Sequence, residues 1–201
     1  MKIDANLNLA LPVRVSEDGD VLVWAYHTPI STEAFATNYR IISETSSRIW
    51  GKGLKYAATS GPRIASLTLL DISEQDAAEN ELETPLGPAL LAEIKRLTFI
   101  LAPGANGFDM LPVDAAVQRG VIDSEDWSEA ESSLVFFTLG YAMSRRAGRK
   151  TFCELISSVM AGSVTSLTPT EFAASLKTST PVAATEQPPA VEQKALESVP
   201  Q

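Results

Sequence analysis

"SSLVFFTLGYAM", Ser132 to Met143, carries no charge across twelve positions, although it lies between the acidic stretch Asp123–Glu131 and the basic stretch Arg145–Lys150. At 100° per residue, Trp127, Ala130, Leu134, Phe137 and Tyr141 fall on one stripe of a helix. Val135, Phe136, Leu139, Ala142 and Met143 fall on nearly the opposite one. A helix apolar on both sides has to be covered on both sides. It can run through the middle of a bundle with other helices around it. Alternatively, one stripe packs in the core while Val135, Phe136, Leu139 and Met143 meet a partner chain or a second copy. Either way the stretch specifies packing, not chemistry.

The helix is bounded by strong local signals. Asp123 is placed to cap it, with Asp126 three residues on in the position of a capping-box acid, and Arg145, Arg146 and Arg149 complement the dipole at the far end. Beyond Gly148, Phe152, Leu155, Ile156 and Val159 predict a short helix, and Thr168-Pro169-Thr170-Glu171 predicts another, with Thr at the cap, Pro first and Glu third. From Lys177 onward there is no Gly and no aromatic residue, only a Pro-, Ala- and Glu-containing stretch with too little to bury, so 177–201 is expected to be a flexible tail.

Towards the N-terminus, Leu7, Leu9, Leu11, Val13 and Val15 alternate at the period of a strand. A turn at Ser16–Asp20 and a second alternating run from Val21 to Tyr26 make this a hairpin. Ser31 caps a helix carrying Phe35, Tyr39, Ile42 and Ile49, stopped by Gly51 and Gly53. Ser60-Gly61-Pro62 is expected to open a second helix with Pro at its first position, and the acidic run Asp71–Glu83 reads as a solvated helix end or mobile loop. Gly87-Pro88 starts a third helix, with Leu90, Ile94, Leu97 and Leu101 aligned until Ala102-Pro103-Gly104 closes it; a loop to Leu111 and a short helix to Gln118 follow. The expected fold is therefore mainly α: a helical bundle with a small N-terminal β-hairpin. Residues 1–30 form the hairpin, as part of the main domain, and 31–176 the helical domain.

With 201 residues, 45% hydrophobic, and a formal net charge of -9, the chain can bury one ordinary core. That charge disfavours nucleic acid, acidic partners and anionic membrane surfaces, because phosphate binding needs clustered Lys and Arg. No run approaches the roughly 20 apolar residues of a membrane span, and MKIDANLNLALPV lacks the uninterrupted apolar core of a secretory signal. The lone Cys153 fits a reducing compartment, so the cytoplasm is the expected location.

No catalytic constellation is legible. His27 is the single histidine and sits beside a strand end, which suits a structural or surface role; one His and one Cys do not build a usual zinc site. Trp50-Gly51-Lys52-Gly53 lacks the frame and the Ser or Thr of a phosphate loop and reads as a helix stop. The acidic clusters lack calcium-loop spacing, and Cys153 on an apolar helix reads as a buried small residue. No catalytic, cofactor-binding or metal residue is assigned.

Taken together, Met1–Ser31, "GPRIASLTL" (Gly61–Leu69), Leu90–Met143 and "GSVTSLTPTEFAASL" (Gly162–Leu176) resemble the tail assembly chaperones of long-tailed, siphovirus-type bacteriophages. The resemblance implies a non-enzymatic helper without cofactor, made in the infected cell. Its partners would be the long, aggregation-prone tape measure protein and the tail-tube protein, and it would be absent from the mature virion. It also implies that a programmed frameshift near the end of the gene can give a longer product, with the junction in 177–201. A rival from another class is a structural tail or head-completion protein retained in the particle.

Overall fold

The computed structural model describes residues 7–105 and 107–176, so the expected tail at 177–201 and the first six residues lie outside the described residues. The expected hairpin forms. Strand β1 (Asn8–Val15) pairs antiparallel with β2 (Val21–His27) across the turn at Ser16–Asp20, where Gly19 takes a φ of 89° that other residues adopt at a cost.

The expectation of a helical bundle with only that hairpin is corrected by a five-stranded antiparallel sheet, in the order β4-β3-β2-β1-β5. Its further strands are β3 (Thr98–Gly104), β4 (Gly107–Pro112) and β5 (Ser163–Thr165). What read as the end of the third helix is β3, and what read as a loop is β4. Ile100 is buried on one face of β3 and Leu101 on the other. A strand buried on both faces shows a continuous apolar run with no period of two. Thr98, Phe99 and Ile100 are strand-favouring residues, and the Leu97-to-Leu101 spacing imitates a helical stripe.

Seven helices complete the described fold: α1 (Thr32–Trp50), α2 (Leu54–Glu79), α3 (Gly87–Arg96), α4 (Val113–Gln118), α5 (Ser124–Met143), α6 (Arg149–Val159) and α7 (Pro169–Ser175). Helix α2 starts well before the expected Ser60 and runs through Pro62; the acidic run is helical to Glu79. Asp71 and Asp76 in that run pair with Arg48 and Arg40 of α1. The caps at Ser31, Asp123 and Thr168 are those expected, the last two as capping boxes with Asp126 and Glu171.

The sheet has two unlike faces. Leu9, Leu11, Val23, Ala25 and Ile100 meet a helical layer in which α5 packs against α1, α2, α3, α6 and β1. The uncharged helix is thus enclosed, which is why both its stripes are apolar. On the far face, Ala10, Tyr26 and Leu101 are covered by the short α7, whose Phe172 ring lies 5.7 Å from Trp24, edge-on, and 5.5 Å from Tyr26. Asn8 donates to the Tyr26 hydroxyl at 2.7 Å, and both donate to the Leu167 carbonyl, tying the approach to α7 onto the sheet. Phe172 is the buried side chain that α7 contributes to this cluster, with Ala173 and Leu176 packed beside it, so Phe172→Ala is expected to cost about 3 kcal/mol locally. Amide exchange across 169–175 should accelerate while that of α5 stays slow; unchanged exchange in α7 would contradict this anchoring.

A pair of irregularities in β1, between Pro12 and Arg14 and between Arg14 and Val15, turns Arg14 out of its alternation towards α5. Its guanidinium donates to Asp126 at 2.7 Å and to Asp123 at 3.2 Å. The backbone N–H of Asp126, then that of Glu125 and the charge of Arg14, hold the Asp123 carboxyl below the usual range. The sheet and the start of the central helix are joined there by charge as well as by packing.

Candidate functional site

Of the four residues assigned from sequence to partner contact, Val135, Phe136 and Leu139 are closed inside the protein, and Met143, 45% exposed, reaches the surface. Phe136 is held between two helices. Its ring stacks on Trp50 of α1 at 5.0 Å and 26°. On its other side passes Gly61 of α2, where an added Cβ would lie 2.5 Å from Phe136 Cε2. Only glycine permits so close a crossing.

Phe136 thereby supports a Trp50 ring that forms a wall of a surface cleft of about 330 Å³, lined by Ser46, Ser47, Trp50, Gly140, Met143, Ser144 and Phe152. The aromatic rings of Trp50 and Phe152 lie 5.5 Å apart. Gly140 lets α6 close against α5, since a Cβ there would stand 2.4 Å from Ile156 and 3.1 Å from Phe152. The two outer hydroxyls are committed to their own helices: Ser47 donates to Ser43 O at 2.9 Å and Ser144 to Gly140 O at 2.6 Å. The cleft offers a greasy seat with few free polar groups. Met143, assigned from sequence to a contact stripe, lies in its lining. Trp50 and Phe152 were not so assigned, because three helices distant in sequence bring them together; the one available hint was an aromatic residue placed directly against the Gly51-Lys52-Gly53 stop.

The histidine and the cysteine lie elsewhere. His27 is fully buried, its Nδ1 3.0 Å from Thr98 Oγ1, while Thr98 donates its own hydroxyl hydrogen to Ile94 O at 2.7 Å. Nδ1 therefore carries the proton and donates to Thr98, leaving Nε2 as a lone pair without a hydrogen-bond partner. Burial pushes its pKa down to about 3, so the ring is neutral. This is a core histidine facing the edge of Phe137 at 6.4 Å. Cys153 is buried and burial pushes its thiol up to about 11, which leaves negligible thiolate. Among the described residues no three His, Cys, Asp or Glu side chains converge as a metal site, and no helix is long and apolar enough to cross a membrane.

Compared with known protein families, with curated proteins and with solved structures, the chain matches none.

Proposed function

We propose that this chain is a tail assembly chaperone of a long-tailed bacteriophage. In this reading it is a non-catalytic protein of the infected cell's cytoplasm that binds the tape measure protein and assists assembly of the tail tube around it. The observation that supports binding over chemistry is the cleft at Trp50, Met143 and Phe152: an apolar seat open at the surface, with the Ser47 and Ser144 hydroxyls engaged by their own helices and the histidine and cysteine buried outside its lining. The resemblance in sequence supplies the identity of the client. A protein that shields an aggregation-prone helical client needs exposed apolar surface together with charge that keeps the loaded complex in solution.

Co-expression with a tape measure protein from the same phage genome tests this reading. The soluble fraction of the client is expected to rise severalfold and the two chains to co-purify. An unchanged soluble fraction would overturn it.

The second reading, a structural tail or head-completion protein, is favoured by one feature. Strand β4 lies at one end of the sheet order and, on its outer side, pairs with no other described strand, the position from which a sheet can be extended by a neighbouring subunit. Mass spectrometry of purified particles separates the two: a chaperone is expected to be absent, and stoichiometric recovery would establish the structural protein.

A further inference from the structure

We infer that the cleft between α1, α5 and α6 docks an acidic amphipathic helix of a partner protein, seating one bulky apolar side chain against Trp50, Met143 and Phe152. The net charge of the chain conceals the feature that points to this occupant. Residues 48–55 and 144–151, which flank Trp50 on one side of the cleft and join Met143 to Phe152 on the other, contain Arg48, Lys52, Lys55, Arg145, Arg146, Arg149 and Lys150 and no acid. These are seven of the sixteen Lys and Arg; the rest of the chain has nine cations against twenty-five Asp and Glu. A protein acidic everywhere else thus carries its densest positive charge in the two segments that adjoin the cleft's lining residues Trp50, Ser144 and Phe152.

Part of that charge is spent within the chain. Arg48 pairs with Asp71 at 2.5 Å and approaches Glu44 at 4.0 Å, Lys150 approaches Glu154 at 3.8 Å, and Arg149 donates to Ser144 O while lying over the Tyr141 ring. Lys52, over the face of Tyr56, and Lys55 and Arg145 are all exposed. Leu54, between the two lysines in sequence, is an apolar side chain 76% exposed. Apolar floor and cationic margins are the complement of a helix with an apolar stripe flanked by Glu and Asp. At about 330 Å³ the cleft lies at the lower limit of small-molecule sites. It also lacks the convergent buried polar groups such a site uses, so a side-chain anchor suits it better. Polyanionic nucleic acid would meet the surrounding acidic surface, whereas a short acidic helix need touch only the cleft and these two segments.

The inference rests on reading the chain as a binding protein, not on the identity of its client, so its failure and that of the phage reading are told apart by separate measurements. The probe is a fluorescein-labelled amphipathic peptide of about four helical turns, with Leu and Phe on one stripe and Glu elsewhere, beside a counterpart with Lys for every Glu. Fluorescence anisotropy with the full chain is expected to show saturable binding of the Glu peptide that weakens with salt, and far weaker binding of the Lys peptide. The exposed Met143→Glu substitution and the double charge reversal Lys52→Glu/Arg145→Glu are each expected to weaken the Glu peptide by about tenfold or more, as loss of a central anchor or of its charge partners does. Circular dichroism checks that both variants stay folded, and the charge reversal touches only surface side chains.

Four results would overturn the inference: no saturable binding of the Glu peptide, equal binding of both peptides, undiminished binding by both folded variants, or tighter binding of a single-stranded oligonucleotide than of the Glu peptide. A concentration-dependent dimer in sedimentation that the charge reversal abolishes would also overturn it, by naming a second copy as the occupant.

Discussion

Replacing Phe136 and Leu139 together by Asp is expected to leave no cooperatively folded chain. Both side chains are buried, at 0% and 1% exposure, and Phe136 fills the space between Trp50 and Gly61. Removing such side chains alone costs about 3–5 kcal/mol for a phenylalanine and about 2–5 kcal/mol for a leucine. Two carboxyl groups in their place must be buried without partners, or must open the core to water. Against a total stability of about 5–15 kcal/mol for a domain, the sum leaves nothing. Loss of the sigmoidal urea transition and of near-ultraviolet dichroism would register it. Met143→Asp, by contrast, alters an exposed position and is expected to change stability by no more than about 0.5 kcal/mol. If the double variant kept a native transition, α5 could not be the enclosed helix described above.

The second large effect is a loss of stability in mild acid that originates at His27. Burial depresses its folded pKa from the ordinary 6.5 to about 3. As pH falls below about 6.5 the unfolded chain takes up a proton that the folded chain refuses, so the folded state loses about 1.4 kcal/mol per pH unit until the folded pKa is approached. The stability is fully present above pH 6.5 and lost on the way down to about pH 3. Urea midpoints between pH 7 and pH 5 isolate this, because most carboxylates do not titrate there. The native chain is expected to lose about 2 kcal/mol over that range. His27→Gln, which keeps a donor for Thr98, is expected to start less stable but to show a much flatter dependence. Parallel slopes in the two proteins would show that His27 is not the group responsible.

These expectations depend on features that sequence discloses unevenly. The hairpin and the caps at Ser31, Asp123 and Thr168 could be read because each signal lies within one turn or one stripe of its own element, whereas the two apolar stripes of α5 left enclosure and a partner contact open as alternatives. The sheet could not be read beyond its first two strands. Strand β3 finds its partner β2 some seventy residues earlier in the chain, pairing Trp24 with Leu101 and His27 with Thr98, and it is apolar on both faces. Strand β5 is three residues long, too short to show any period. The start of α2 was hidden by Pro62, since a proline predicts a first turn unless packing holds the helix through it. At the cleft the same division holds. Met143 lies on a readable helical stripe, but the concentration of positive charge exists only because the α1–α2 turn and the α5–α6 connection fold to the same place. A summed charge of -9 gave no sign of that, and indeed argued against acidic partners.

Strand β1 also sets an order of events during synthesis. It is flanked by β2 on one side, but its other neighbour is Ser163–Thr165, and the Asn8 and Tyr26 side chains wait for the carbonyl of Leu167. A nascent chain therefore emerges from the ribosome with one margin of its first strand unmatched until almost the last described residue has been made. Such long-range closure slows folding and leaves a strand margin open to stray pairing in the meantime. Truncation ahead of residue 163 makes that transient hazard permanent, so the last few elements, small as they are, act as the clasp that ends the vulnerable period.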